Sequence, residues 1–272
     1  IRWISDSLAL DFMRYFLAFF LVLGLHLSCF SQTITGTVRE KGSGLPLPFA
    51  NVFVNNTTIG SATDAAGRFR ISGEFSTDIE LVASFVGYVT EVKAISFRKK
   101  GEVQVDFDLA FNESNLTEIE LKAKRDKSWD REFRRFEEVF LALPDDPYLK
   151  QIKIENPWVL EFENIKPKKG PNYLQASAGQ PLKITNEALG YKIDYYLQDF
   201  RLVRNGSMFY GQVFYLPTSS SNPDQLKDWE SSREANYQSS LRHFNYSVLI
   251  NTSDSLHFKV FRTPPEQLGR VR

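Results

Sequence analysis

The stretch from Phe49 to Ile71, FANVFVNNTTIGSATDAAGRFRI, constrains the fold more than any other part of the chain. Ala50, Val52 and Val54 alternate with Asn51, Phe53 and Asn55, the period of a strand with one face buried. Asn55 to Thr58 breaks the run, and Ile59 to Thr63 supplies a second short strand. Asp64-Ala65-Ala66-Gly67 then has the residue types of a tight turn, after which Phe69 and Ile71 resume the alternation. The stretch carries scaffold chemistry and no catalytic group.

The same period extends to both sides. Ile34, Gly36 and Val38 alternate with Thr35, Thr37 and Arg39, and Lys41-Gly42-Ser43-Gly44 ends that strand. Ile79, Leu81, Ala83 and Phe85 form another, Gly87-Tyr88 bends the chain into Val89–Ile95, and Val103, Val105, Phe107 and Leu109 close the series. About seven short strands at close turn spacing, with no helical period among them, predict an antiparallel β-sandwich over residues 32–111.

Gly36-Thr37-Val38, Pro48-Phe49-Ala50-Asn51-Val52, Gly60, Thr63-Asp64, Gly67-Arg68-Phe69 and Ser84-Phe85-Val86-Gly87-Tyr88, in that order, resemble the carboxypeptidase-regulatory-like domain. The resemblance implies a seven-stranded transthyretin-like (prealbumin-like) sandwich, with Gly36, Asn51, Val52, Gly60, Asp64, Gly67, Phe69, Gly87 and Tyr88 as its signature positions. It also implies an accessory module common at the N-terminus of exported Bacteroidetes proteins, outer-membrane nutrient receptors among them. The chain departs from the pattern at Asn55-Asn56-Thr57, where the family has a glycine-containing turn; one loop is affected. The peptidase itself is not implied. A zinc carboxypeptidase needs His-x-x-Glu and a later His, and neither His243 nor His257 is followed by Glu three residues on.

Ahead of the sandwich, Met13-Arg14 precedes an apolar run from Tyr15 to Leu25, the layout of a secretory signal peptide over residues 13–31. Residues 1–12 precede the expected initiator and read as a non-native extension. Cys29 and Ser31 suit cleavage before Gln32. Leu27-Ser28-Cys29 partly fits a lipidation signal, but His26 stands where that signal takes an aliphatic residue. The run is too short to span a bilayer, and no transmembrane span is expected in the mature chain. The expected location is the periplasm, the outer membrane or the cell surface. Cys29 is the only cysteine, so an exported chain of this size must rely on core burial rather than disulfides. With 33 basic and 33 acidic residues, no global field favours nucleic acid.

Residues 112–127 read as a polar linker, and residues 128–272 as an α+β domain. Trp129, Phe133, Phe136 and Phe140 fall at helical spacing up to about Leu143, and Pro144 stops the helix. This aromatic stripe is expected to pack on the domain's own sheet, since exposed it would invite aggregation. Strands follow at Val159–Phe162, Leu174–Ala178, Leu182–Ile184 and Tyr191–Val203. Asn205-Gly206 carries the type I′ hairpin signal, and Met208–Tyr215 returns. Asn222-Pro223 caps a helix carrying Leu226, Trp229, Arg233 and Tyr237; Ser239-Ser240 breaks it before a second helical segment, and His257–Arg262 makes a late strand. No closing element follows at Gly269-Arg270-Val271-Arg272, as in a fragment. This half is similar to exported Bacteroidetes proteins that pair such a region with the regulatory-like domain, a resemblance that implies no activity.

Phosphate loops, nucleophile elbows and zinc helices have no counterpart in the sequence, and no cofactor or metal site is expected. His243 reads as a packing or surface residue. Asp145-Asp146 and the Glu161/Glu163 pair could in principle serve a hydrolase, but suit a turn and a solvated strand face better. Asp64 alone falls far short of a calcium site and is expected to close its turn. Exposed aromatics are the one supply of ligand-binding groups: Trp158, Tyr195 and Tyr210 are candidates for stacking on sugar rings. The expectation is a non-enzymatic envelope binding protein with a protein or glycan partner. A glycan-binding accessory and an Asp/Glu hydrolase are its alternatives.

Overall fold

The computed structural model describes residues 32–75, 78–97, 101–112, 127–141, 151–250 and 258. The expected extension, signal peptide, Cys29, Asp145-Asp146, His257, most of the linker and most of the late strand lie outside these residues. The fold is mainly β, and the chain divides into two compact units, Ile1–Ile119 and Glu120–Arg272.

The first unit contains β1 (Gln32–Glu40), β2 (Asn51–Val54), β3 (Gly60–Ala62), β4 (Arg68–Gly73), β5 (Asp78–Ser84), β6 (Glu91–Ser96), β7 (Glu102–Gln104) and β8 (Phe107–Leu109). One sheet is centred on β1, which pairs with β4, β7 and β8; the other runs β3-β2-β5-β6. Ile34 and Val38 of β1, Val52 and Val54 of β2, Phe69 and Ile71 of β4, Leu81 and Ala83 of β5, and Phe107 and Leu109 form its core.

Two expectations are corrected here. Eight strands are described, because the run from Val103 to Leu109 breaks in two, and both halves pair with β1 in parallel rather than antiparallel. The break lies where β1 carries Gly36, whose absent Cβ would otherwise strike the Val105 carbonyl. Asp106 bridges the gap, its Oδ1 accepting from Thr37 N and Thr37 Oγ1, each at 2.8 Å. The second correction concerns β2, expected to bury only one face. Phe53 and its partner Val82 on β5 are also fully buried, so the strand is covered on both sides.

The turns behave as their side chains dictate. Asp64 Oδ1 accepts from Ala66 N and Arg68 N, both at 2.9 Å, and its Oδ2 from Arg68 Nε at 2.9 Å. These bonds, led by that from the Arg68 backbone, hold its carboxyl below the usual range. Gly67 takes φ +71°, and a Cβ there would press on the Val38 carbonyl and Pro46. In the departing loop, Asn56 adopts φ +60°, the left-handed conformation a glycine would otherwise supply. Tyr88 donates its hydroxyl to Glu40 Oε1 at 3.0 Å and meets Phe111 edge-on.

The second unit contains α1 (Lys127–Phe140), β9 (Ile152–Ile154), a 3-10 turn (Pro157–Val159), β10 (Leu160–Ile165), β11 (Tyr173–Ala178), β12 (Leu182–Asn186), β13 (Tyr191–Val203), β14 (Gly206–Pro217), α2 (Pro223–Gln238) and α3 (Leu241–Leu249). The long strand β13 organises the sheet. Along one edge it pairs with β12 at its start and β11 near its end, and it pairs with β14 almost throughout. The stripe of α1 packs on this sheet as expected: Phe136, fully buried, lies 4.7 Å from Phe200 and 4.9 Å from Phe140 between ring centroids, and Trp129 donates to the Leu160 carbonyl. Glu132 is buried on α1 beside them. Burial opposes its ionisation, but Arg135 at 2.6 Å and Arg131 at 3.2 Å hold its carboxyl below the usual range.

The hairpin turn differs from the type I′ expectation. Val203 pairs with Gly206, so Arg204-Asn205 forms the loop, and neither residue has a positive φ. Asn222 caps α2 by accepting from Asp224 N at 3.0 Å, and Ser240 caps α3 through His243 N. Trp229 anchors α2: its indole donates to the Glu187 carbonyl at 2.8 Å and covers Gly190, where φ is +61° and no Cβ would fit.

Candidate functional site

Alternation along the second sheet sends one set of side chains toward α1 and the other to the opposite, outward face. Leu182, Ile184, Ile193 and Tyr195 belong to the inner set. Lys183, Thr185, Lys192, Asp194 and Leu216 alternate with them and, with Glu155 and parts of Ile184 and Ile193, line a cavity of about 430 Å³ whose exposed lining is more apolar than polar. Its floor is electrostatically closed. Lys183 Nζ lies 2.6 Å from the buried Asp194 carboxylate, and Lys153 Nζ lies 2.8 Å from Glu155. The Lys153 hydrogen bond holds Glu155 below the usual carboxylate range. Each carboxylate of the cavity is therefore matched to a lysine, which leaves Glu155 poorly suited to donate a proton.

Farther along β13 the register shifts between Leu197 and Asp199, a β-bulge. The extra residue reverses the parity of the strand: Phe200 and Leu202 continue the inner face, while Asp199 and Arg201 stand on the outward one. Arg201 is paired with Asp199 at 3.0 Å, and its guanidinium lies over the Tyr173 ring at 5.7 Å. On β14, Tyr210 stands opposite Asp199 and Met208 opposite Arg201, both more than half exposed. Gln212, two residues on, has an Oε1 shielded from solvent with no hydrogen-bond donor among the described residues.

The three candidate stacking residues do not converge. Tyr210 is exposed on the outward face, and Trp158 is exposed in the 3-10 turn. Tyr195 points inward, edge-on to Phe140 at 4.9 Å, where burial and then the neighbouring Tyr215 push its hydroxyl up to about 12. It is not available for sugar stacking, because its register with Leu182 on β12 and Val213 on β14 places it on the inner face. Tyr196 is buried, and Tyr191 lies under the Arg233 guanidinium at 4.1 Å. Glu161 and Glu163 lie on the outward side of β10. His243 is held by the Gln238 carbonyl at 2.9 Å and stacks on Tyr237. Among the described residues no group of three or more His, Cys, Asp or Glu could hold a metal ion, and no helix is long and apolar enough to cross a membrane.

Residues that sequence reasoning passed over include Lys183, Asp194, Arg201 and Gln212. Their signal was available in the alternation of polar residues through β12 and β13, but the partnership of Lys183 with Asp194 requires the strand register.

Residues 34–121, about a third of the chain, match the family model of the CarboxypepD_reg-like domain, in agreement with the resemblance carried by Gly36 to Tyr88. No curated protein is matched. Among solved structures, the chain is similar to a type II cohesin–X-dockerin complex from Acetivibrio cellulolyticus, at 17% identity over 28% of this chain and 52% of that one, with a TM-score of 0.24. It spans about half the length of the first two solved chains it matches. A protein of unknown function from Bacteroides fragilis, described as membrane-associated, is 15% identical over 71% of this chain and 84% of its own, with a TM-score of 0.25. A Bacteroides uniformis protein described as carbohydrate-binding is 12% identical over 68% and 96%, with a TM-score of 0.24. At these scores the likenesses assign neither a fold nor a ligand.

Proposed function

We propose, starting from the regulatory-like domain at residues 34–121, that this chain is a non-catalytic accessory protein of a bacterial envelope whose second unit holds the ligand on its outward sheet face. Export is inferred from Met13-Arg14 and the apolar run behind it. The observation that carries the binding reading is the cavity beside Asp194, in which lysine-paired carboxylates stand among the apolar Ile184, Ile193 and Leu216. A glycan is favoured over a protein partner by the exposed ring of Tyr210, a flat apolar plate on the outward face.

The test is capture of envelope components by the full chain and by a Lys183→Gln/Asp194→Asn variant, which removes the pair together and leaves no buried charge uncompensated. Capture should fall at least about tenfold in the variant. Capture that is indifferent to both substitutions overturns the proposal. So does hydrolysis of an envelope polysaccharide that Glu155→Gln abolishes.

A further inference from the structure

The whole chain is electrically balanced, but one end of the second sheet is not. No Asp or Glu occurs from residue 164 to 186 or from 200 to 223, whereas these runs contain Lys166, Lys168, Lys169, Lys183, Arg201 and Arg204. The fold brings most of these cations together. Tyr173 begins β11 at the end of the β10–β11 hairpin, Leu174 lies in register with Leu202 of β13, and Val203 pairs with Gly206 across the next hairpin. The loop Lys166-Pro167-Lys168-Lys169-Gly170-Pro171-Asn172 and the turn Arg204-Asn205 therefore project from the same end of neighbouring hairpins, and all four of their cations are exposed. Beside them on the outward face stand Tyr173, Arg201, Met208 and Tyr210. The nearest carboxylate of β13, Asp199, is neutralised by Arg201; Glu163 lies one strand farther out than Tyr173.

We propose that these two hairpin tips and the adjoining tyrosine face bind an acidic polysaccharide, its carboxylate or sulfate groups on Lys166, Lys168, Lys169 and Arg204 and its sugar rings on Tyr210 and Tyr173. Charge complementarity selects a polyanion, since a cluster of cations without an intervening carboxylate focuses a positive potential that the balanced chain otherwise lacks. The rings select sugar. Tyr210 is more than half exposed and offers a flat apolar plate on the strand beside Arg201, diagonal to it across the sheet. An anionic bilayer is the poorer occupant, because the tips consist of lysine, arginine, proline, glycine and asparagine and hold no large apolar side chain to insert. This inference rests on the reading of the second unit as the ligand-binding one and adds the chemical class of the ligand.

The test uses the full chain with polygalacturonate and heparin as probes, and neutral dextran, phosphatidylglycerol vesicles and single-stranded DNA as comparisons. The acidic polysaccharides should bind and dextran should not, with affinity falling about tenfold or more between about 50 and about 200 mM salt as counterions are released. A Lys166→Gln/Lys168→Gln/Lys169→Gln variant should weaken binding by about tenfold or more and flatten the salt dependence. Tyr210→Ala should weaken it about three- to tenfold with the salt dependence unchanged. All substituted residues are exposed, and an unchanged far-UV spectrum establishes that the fold is retained. Failure to bind either acidic polysaccharide overturns the inference. Equal binding of vesicles or DNA with indifference to Tyr210→Ala also overturns it, by showing a general polyanion surface. If acidic polysaccharide fails while the Lys183/Asp194-dependent capture persists, only this inference falls; loss of that capture with polysaccharide binding intact removes the cavity-based reading instead.

Discussion

The two units solve the same problem, closing a β-rich core without disulfides, by different means. The first is held by backbone and turn chemistry: an Asp64 turn that uses both carboxylate oxygens, a left-handed Gly67, and a strand break bridged by Asp106. The second is held by aromatic burial, with Phe136, Phe140, Phe162, Phe200 and Phe209 in a chain of ring contacts between α1 and the sheet. The first therefore spends its specific residues on the scaffold, and the second keeps its polar residues for the outward face. Loss of a turn glycine should therefore be felt most in the first unit, and loss of the central ring most in the second.

The largest expected effect follows directly. Phe136→Ala removes a fully buried ring from the centre of the second unit and should destabilise it by about 3–5 kcal/mol. Trp129, Trp158 and Trp229 all lie in that unit, and the first unit has no tryptophan among its described residues. In a chain beginning at Gln32, which lacks Trp3, tryptophan fluorescence during urea unfolding therefore reports on the second unit, and its midpoint should fall. A loss below about 1 kcal/mol would break the comparison, because the aromatic chain would then not be what holds the sheet to α1.

Gly67→Ala is the corresponding test of the first unit. A side chain at φ +71° costs about 1–2 kcal/mol in backbone strain. The added Cβ would also press on the Val38 carbonyl and Pro46, and together these should cost about 2–4 kcal/mol. Amide hydrogen exchange should show lost protection in β1 and β4. Unchanged protection there would mean that the turn follows the sheet rather than setting it.

The difference between the units also explains what could be read in advance. Turn chemistry is local, so Asp64, Gly67 and the alternation around them were legible in the sequence. Asn56 could be marked as a departure, although its left-handed φ was not anticipated. The α1 stripe was legible for a similar reason, since one period of one helix contains it. The β13 bulge was not, because an extra residue in a long alternating strand leaves no compositional trace, and it decides that Asp199 and Arg201, rather than Gln198 and Phe200, stand opposite Tyr210 and Met208. The break between β7 and β8 was hidden in the same way: Val103 to Leu109 alternates without interruption, and only the approach of Val105 to Gly36 shows why the ladder stops. The charged hairpin end was masked by an average, as 33 basic and 33 acidic residues cancel over the chain while two carboxylate-free runs meet in space.

The smallest effect tests the strand break itself. Thr37→Val keeps the size of the side chain but removes the Oγ1 donor to Asp106, leaving the Thr37 backbone N–H as the remaining bond from β1. Because Asp106 is exposed, the loss should be no more than about 1 kcal/mol near neutral pH. The pH dependence distinguishes this bond from simple packing. The Thr37 hydroxyl is the largest influence holding the Asp106 carboxyl below its usual range. A depressed folded-state pKa means that the stabilisation is fully present above the ordinary aspartate value near 4 and is lost as pH falls through the lower folded value. The gap in stability between the two proteins should therefore be constant from neutral pH down to about 5 and close at more acidic pH. A gap that persists unchanged into acid would assign the effect to packing around β1 and remove Asp106 from the set of backbone devices that hold the first unit.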